Sequence, residues 1–258
     1  MTTRFRLVLV AAAATTTLTG CAGVLGARMT YEDIEKTKIT EIRVSGGSGD
    51  VTVRSKAEVT QTAIKRIVRG SSNPRESYRL DGTALLLDTS CGDNCQVSYE
   101  IEAPAGVAVR GGLRSGDVTL AGVGATDLQL TSGDMIVKDA TGPVKLRATS
   151  GDIKVLTATS TVTVQSTSGD IEARNVAGAV DLQVTSGDIT AERSTVGSVR
   201  AQATSGDVRV IVPAGRYQVT TDTRSGDDSV IGVTRDPSAK AVIDVRTRSG
   251  DATVSAAP

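Results

Sequence analysis

The tripeptide Ser-Gly-Asp occurs nine times in this chain, with its glycine at positions 49, 116, 133, 151, 169, 187, 206, 226 and 250. From residue 116 onward the intervals are 17, 18, 18, 18, 19, 20 and 24 residues. A period this regular means stacked supersecondary units, each too small to bury its apolar face alone. Threonine leads five copies, at Thr131, Thr149, Thr167, Thr185 and Thr204. Arg114, Arg224 and Arg248 take that place in three others, and the sequence assigns them no role.

Every unit has the same hydrophobic pattern. After the aspartate, the first and third residues are usually apolar, as in Val118 and Leu120, Ile153 and Val155, or Val208 and Val210. Before the serine, apolar or small residues alternate with polar ones, as in Val144, Leu146 and Ala148. Period 2 is the strand signature, so each unit holds two short strands with one buried and one wet face. Gln129, Arg147, Gln165, Gln183 and Gln202 share one wet position; Thr119, Lys154, Glu172, Thr190 and Arg209 share another. The one helical candidate is the short, charged stretch Thr30–Lys36.

Two architectures use this pattern. In a β-solenoid each unit is one coil, and equivalent residues stack about 4.8 Å apart. In an antiparallel meander, Ser-Gly is a hairpin loop. Seven intervals of two strands would give 14 strands, more than the roughly 10 at which open sheets curl or split. Columns of identical turns also suit coils. The expected fold is therefore all-β: a β-solenoid, single-stranded and β-helix-like, of about 18-residue coils with an N-terminal β cap. Seven rungs predict a length of about 35 Å. Narrow coils accept Val, Ile, Leu and Ala, which fits a chain with no Trp and one Phe. The expected organisation is 1–20 signal peptide, 21–37 spacer, 38–110 cap and 111–256 solenoid. Within the cap, Ile39–Val44, Val51–Arg54 and Val59–Val68 read as strands.

The N-terminus reads as an address. Arg4 and Arg6 precede the apolar run Leu7–Leu18, too short for the roughly 20 residues that span a bilayer and suited to a signal h-region. Leu18-Thr19-Gly20-Cys21 resembles the lipobox of bacterial lipoproteins, which implies an acylated Cys21. Each buried CH₂ of an acyl anchor contributes about 0.8 kcal/mol, so two or more chains hold a protein stably at a membrane. The expected location is the extracytoplasmic face of a bacterial cell membrane, with the membrane as a partner through the anchor. Cys91 and Cys95 flank a Gly-Asp-Asn loop between two strand-like stretches, expected as a hairpin tip. In an oxidising compartment a disulfide is the default for such a pair.

The lipobox, the Cys91/Cys95 loop, the Ala103-Pro104-Ala105-Gly106 turn and the Ser-Gly-Asp units together resemble the β-strand-repeat family known as putative adhesins. The resemblance covers residues 38–256. It implies a β-solenoid and an extracytoplasmic location, and no established activity or catalytic residue.

Composition narrows the chemistry. The chain has 258 residues and no His, so Ser-His-Asp and Cys-His catalysis and His-ligated zinc are excluded. With 29 basic against 29 acidic residues and 2% aromatics, no nucleic-acid partner is expected. Removing residues 1–20 leaves 27 basic against 29 acidic residues, a near-neutral surface.

Two columns are candidate sites. The first is Asp117, Asp134, Asp152, Asp170, Asp188 and Asp207. These read as turn residues accepting backbone N–H bonds. The alternative, calcium between rungs, has precedents that use paired double-glycine turns, absent here, so no metal or other cofactor is expected. Adjacent carboxylates would also suit glycoside hydrolysis, but a uniform column singles out no pair. The second column is Gln129, Arg147, Gln165, Gln183 and Gln202, either a binding face or a ladder of mutually bonded side chains. The expected function is a non-enzymatic cell-envelope lipoprotein that binds a glycan or an envelope protein through this face. An accessory role in envelope signalling and, more weakly, a carbohydrate-active enzyme are the alternatives.

Overall fold

The computed structural model describes residues 28–70, 77–92 and 94–257, which are all β. The expected signal peptide and Cys21 lie outside the described residues. In chain order the first strands are β1 (Arg28–Glu35), β2 (Glu41–Ser45), β3 (Val51–Lys56), β4 (Thr62–Gly70), β5 (Tyr78–Asp81), β6 (Ala84–Asp88), β7 (Cys95–Pro104) and β8 (Ala108–Ser115). The regular part follows as β9 (Val118–Ala121), β10 (Thr126–Ser132), β11 (Met135–Ala140), β12 (Val144–Ser150), β13 (Ile153–Ala158) and β14 (Val162–Ser168). It continues with β15 (Ile171–Val176), β16 (Val180–Ser186), β17 (Ile189–Arg193), β18 (Val199–Ser205) and β19 (Val208–Val212). The last strands are β20 (Arg216–Ser225), β21 (Asp228–Ile231), β22 (Thr234–Arg235), β23 (Val242–Ser249) and β24 (Ala252–Ala256).

Among the described residues these strands make two sheets of twelve. The first sheet contains β9, β11, β13, β15, β17 and β19, and the second contains β8, β10, β12, β14, β16 and β18. These neighbours are parallel and in register, Val144 beside Val162 and Ile153 beside Ile171, apart from a one-residue shift between β15 and β17 after Ala173. The chain is a β-solenoid. A meander would have paired the two strands of each unit antiparallel; here they lie in different sheets, joined by the Ser-Gly-Asp corner. The inward residues of both sheets form one continuous core of Val, Ile, Leu and Ala columns. Equivalent residues stack because a parallel in-register ladder places like beside like, so one tolerated side-chain size propagates along the coil.

Spatial order departs from chain order at both ends. β2 and β3 form a rung between β8/β9 and the outer rung β6/β7. At the other end β23 and β24 slot between β18/β19 and the outer rung β20/β21. The coil therefore has ten rungs among the described residues, against seven expected, and is about 45 Å long at 4.8 Å per rung. Within 38–110, β2–β3 and β6–β7 are rungs. The covering is supplied by β4 and β1, antiparallel on the first sheet, and by β5 on the second.

The helical candidate Thr30–Lys36 is corrected: Arg28–Glu35 is β1, paired through all eight residues with β4. A helix this short does not sustain itself in water. The free edge of β4 supplies a full ladder, and Met29 and Tyr31 pack on the core, with Arg66 4.4 Å over the Tyr31 ring. The Cys91/Cys95 loop tips a short hairpin that stands on the corner between β6, in the second sheet, and β7, in the first: Ser90 pairs antiparallel with Gln96, and the Val97 N–H donates to Thr89 O at 3.3 Å. Cys91 and Cys95 are disulfide-bonded there.

The ends differ chemically from the middle. Tyr99 on β7 and Tyr217 on β20, the two buried tyrosines, belong to the two outermost rungs. There a column has space beyond it that no further coil fills. The Tyr99 hydroxyl donates to Ser77 O at 2.6 Å, and that of Tyr217 to Pro213 O at 2.8 Å. On β20 and β21 the columns of Val245 and Ala252 end in Thr221 and Asp228, hydrogen-bonded to each other at 2.7 Å. Polar inward groups blunt an edge that would otherwise template another chain.

Candidate functional site: the corner ladder and the outer face of the second sheet

At each corner the glycine takes a φ that only glycine adopts readily. Gly151 has φ +117°, and a Cβ on it would lie 2.1 Å from Gly133 O. Stacking corners this closely leaves the next amide without a backbone acceptor, and the aspartate supplies one. The Asp152 N–H donates to Asp134 Oδ1 at 2.8 Å, Asp170 N–H to Asp152 Oδ1 at 2.9 Å, and Asp188 N–H to Asp170 Oδ1 at 2.9 Å. The ladder runs from Asp50 through Asp117 to Asp207 and on to Asp251 and Asp227. At its start Ser98 Oγ accepts from the Asp50 N–H in place of a carboxylate.

All six predicted aspartates therefore share one column, extended by Asp50, Asp251 and Asp227. The acceptor belongs to the neighbouring rung, not to the same turn. Among the described residues no group of three or more His, Cys, Asp or Glu side chains is placed to hold a metal. The arrangement satisfies backbone donors and singles out no carboxylate pair for acid–base work.

The five residues of the second column also come together, each beside the next on adjacent parallel strands of the second sheet. Among the described residues no amide–amide bond links these glutamines. Gln183 donates to Asp181 at 3.2 Å and Gln202 accepts from Arg200 at 3.5 Å, both within a strand. The row continues onto Arg246 of β23 and Asp222 of β20.

Charges on this face are neutralised unevenly along the coil. Near its start, Glu41 bridges Arg43 at 3.1 Å and Arg110 at 3.4 Å. The Arg43 hydrogen bond holds the Glu41 carboxyl below its ordinary range. Arg147 faces Asp127 at 3.8 Å. Near the far end, Arg246 pairs with Asp244 at 2.8 Å and Arg200 reaches the same carboxylate at 4.0 Å. Arg224 and Arg248 stand directly opposite each other on β20 and β23, and among the described residues neither has an ion pair. A shallow open groove of about 810 Å³ runs across this region. On the outer face of the first sheet, Lys154, Glu172, Arg174 and Glu192 form one connected string of ion pairs.

The sequence contained one signal for this cluster, arginine in the threonine position before two late corners. Stacking in chain order already places β20 beside β23; what it hides is that β23 lies between β20 and β18, which adds Arg200 to the cluster. Arg193 is a second residue that the pattern missed. It occupies the buried column position of Val176, and its guanidinium binds Ala177 O, Gly178 O and Thr195 O of the enlarged turns. Burial lowers its pKa from the ordinary arginine value. Its bonds go to backbone carbonyls, so it secures a corner.

A family model described as Toastrack DUF4097 matches residues 33–161 and 113–255, overlapping spans that run through nearly all the rungs. The chain belongs to the Toastrack DUF4097 family. No curated protein matches it. Among solved structures, this Toastrack chain is similar to a putative adhesin from Bacteroides fragilis NCTC 9343. Identity there is 16%, with 91% of this chain and 100% of that chain covered and a TM-score of 0.53. A putative adhesin from Parabacteroides merdae ATCC 43184 matches at 11% identity, 90% and 97% coverage and a TM-score of 0.36. At these identities the likeness concerns the fold, and the first of the two carries it.

Proposed function

We propose that this Toastrack protein is a lipid-anchored, non-enzymatic module of the bacterial cell envelope that binds an extracellular or envelope ligand through the outer face of its second sheet. The observation that carries the reading is the continuous polar face itself. Gln129, Arg147, Gln165, Gln183 and Gln202 stand side by side without amide–amide bonds between the glutamines, so the donors and acceptors left over from the within-strand bonds of Gln183 and Gln202 are available to a ligand. The lipobox at Cys21 and the adhesin names of similar structures support the location. β1, the first described strand, lies at the end of the coil where an anchor on Cys21 would attach. The opposite end then stands about 45 Å away.

The test uses bacteria expressing the full chain. Labelled palmitate is expected on the wild type and not on Cys21→Ala. Cells displaying the wild type are expected to adhere to immobilised envelope polysaccharide more than cells expressing Cys21→Ala. Equal adherence overturns the reading. Stoichiometric recovery of a membrane sensor with the acylated protein would replace it with a signalling role.

A further inference from the structure

We infer that the far end of the second sheet is a binding site for a linear anionic polysaccharide, held by Arg224, Arg248, Arg246 and Arg200. This rests on the ligand-binding reading above and gives it a ligand class and a place.

Five neighbouring strands, β14, β16, β18, β23 and β20, line the groove, so it runs along the coil axis and suits an extended chain. Four arginines reach it against one aspartate, Asp222. Asp244 is the shared partner of Arg246 and Arg200, which leaves Arg224 and Arg248 without a carboxylate. These two are on facing residues of adjacent parallel strands, about 4.8 Å apart at the backbone. Like charges placed opposite each other repel, and five other rungs carry threonine here. A bound anion removes the repulsion. Guanidinium groups bind carboxylate and sulfate oxygens through paired N–H donors.

The rest of the groove selects among polyanions. Gln165, Gln183 and Gln202 offer both donors and acceptors to hydroxyl groups. No aromatic side chain lines it, so nucleobases have nothing to stack on. None of the exposed large apolar side chains lines it either, which removes the anchors of a protein interface.

The experiment places the full acylated chain on neutral liposomes and measures binding of heparin, polygalacturonate, dextran and duplex DNA. Heparin and polygalacturonate bring sulfate and carboxylate separately. Saturable binding of at least one of them, weakening as salt rises, is expected, with none of dextran. The double variant Arg224→Thr/Arg248→Thr introduces the residue found on five other rungs and so keeps the fold, checked by far-UV circular dichroism. It should weaken binding about tenfold or more. Arg114→Thr makes the same change in the same column at the other end and should leave binding unchanged. The inference is overturned if neither polyanion binds or if the double variant binds as wild type. It is equally overturned if Arg114→Thr weakens binding as much, or if DNA binds as tightly as the glycans. Adherence of cells displaying the double variant at the wild-type level would remove this site while leaving the broader reading in place.

Discussion

Asp152 separates two roles that the corner ladder combines. Its Oδ1 accepts the Asp170 N–H at 2.9 Å, and its own N–H donates to Asp134 Oδ1 at 2.8 Å. Asp152→Ala leaves the Asp170 amide without its acceptor. A hydrogen bond to a charged group contributes about 1.5–3 kcal/mol, and partial solvent access at this corner favours the lower end. Against this, carboxylates about 5 Å apart repel by about 0.8 kcal/mol per pair at the dielectric of water, and Asp152 has two such neighbours. The two nearly cancel, so the net change for alanine is expected within about 0.5 kcal/mol of zero. Asp152→Asn keeps the acceptor oxygen and removes the charge, so lost charge assistance and relieved repulsion nearly cancel. Its stability should lie within about 0.5 kcal/mol of wild type. Hydrogen exchange at the Asp170 amide reads the bond directly: protection should persist in the asparagine variant and fall in the alanine variant. Equal loss of protection in both would refute the reasoning, because charge rather than acceptor geometry would then organise the corner. Exchange is preferable to a global melt, since stacked repeats lose cooperativity when one interface is weakened.

Gly151→Ala should destabilise the coil by about 2–4 kcal/mol in urea unfolding, because a Cβ there meets Gly133 O and φ is +117°; a change below about 0.5 kcal/mol would contradict the stacked corner. Burial raises the Tyr99 pKa to about 12, above its unfolded value near 10. The unfolded chain then loses this proton first as pH rises, so the stabilisation is complete below about pH 10 and decreases towards pH 12, by about 2 kcal/mol. Tyr99→Phe should be less stable at neutral pH, through loss of the bond to Ser77 O, and should show a flatter decline between pH 10 and 12; an unchanged slope would reject this. Replacing Cys91 and Cys95 by alanine should lower stability by about 2 kcal/mol, the loop entropy of a closure spanning so few residues. Thermal melts with and without reductant check the value, and the variant itself should be insensitive to reductant.

Much of the coil was legible because its cause is local. Val and Ile alternating with polar residues specify strands, and a corner of Ser-Gly-Asp specifies where each strand must end. Repetition then supplies the tertiary contact, since a unit that cannot bury its face alone can only stack on a copy of itself. The aspartate, threonine and glutamine columns follow from register, as does the scarcity of aromatics inside a narrow coil. The acceptor role of the aspartates was legible, although the donor proved to be the next rung's amide.

The ends were not legible, because there the partner of each strand is chosen by geometry across long stretches of chain. Nothing near Thr30–Lys36 announces a strand; the open edge of β4 makes it one. Nothing in the spacing says that β2/β3 and β23/β24 insert inside an outer rung. Those insertions decide that the Cys91–Cys95 hairpin stands on the corner of an outer rung and that Tyr99 and Tyr217 close the two ends. They also put β23 rather than β20 beside β18, which brings Arg200 within reach of Asp244. The sequence by itself determined a stacked coil of Val- and Leu-sized columns with a ladder of corners, because each unit carries the same local instructions. Only the tertiary structure decided which charges meet on its surface, because strand order at the coil ends is settled by which apolar edge remains to be covered.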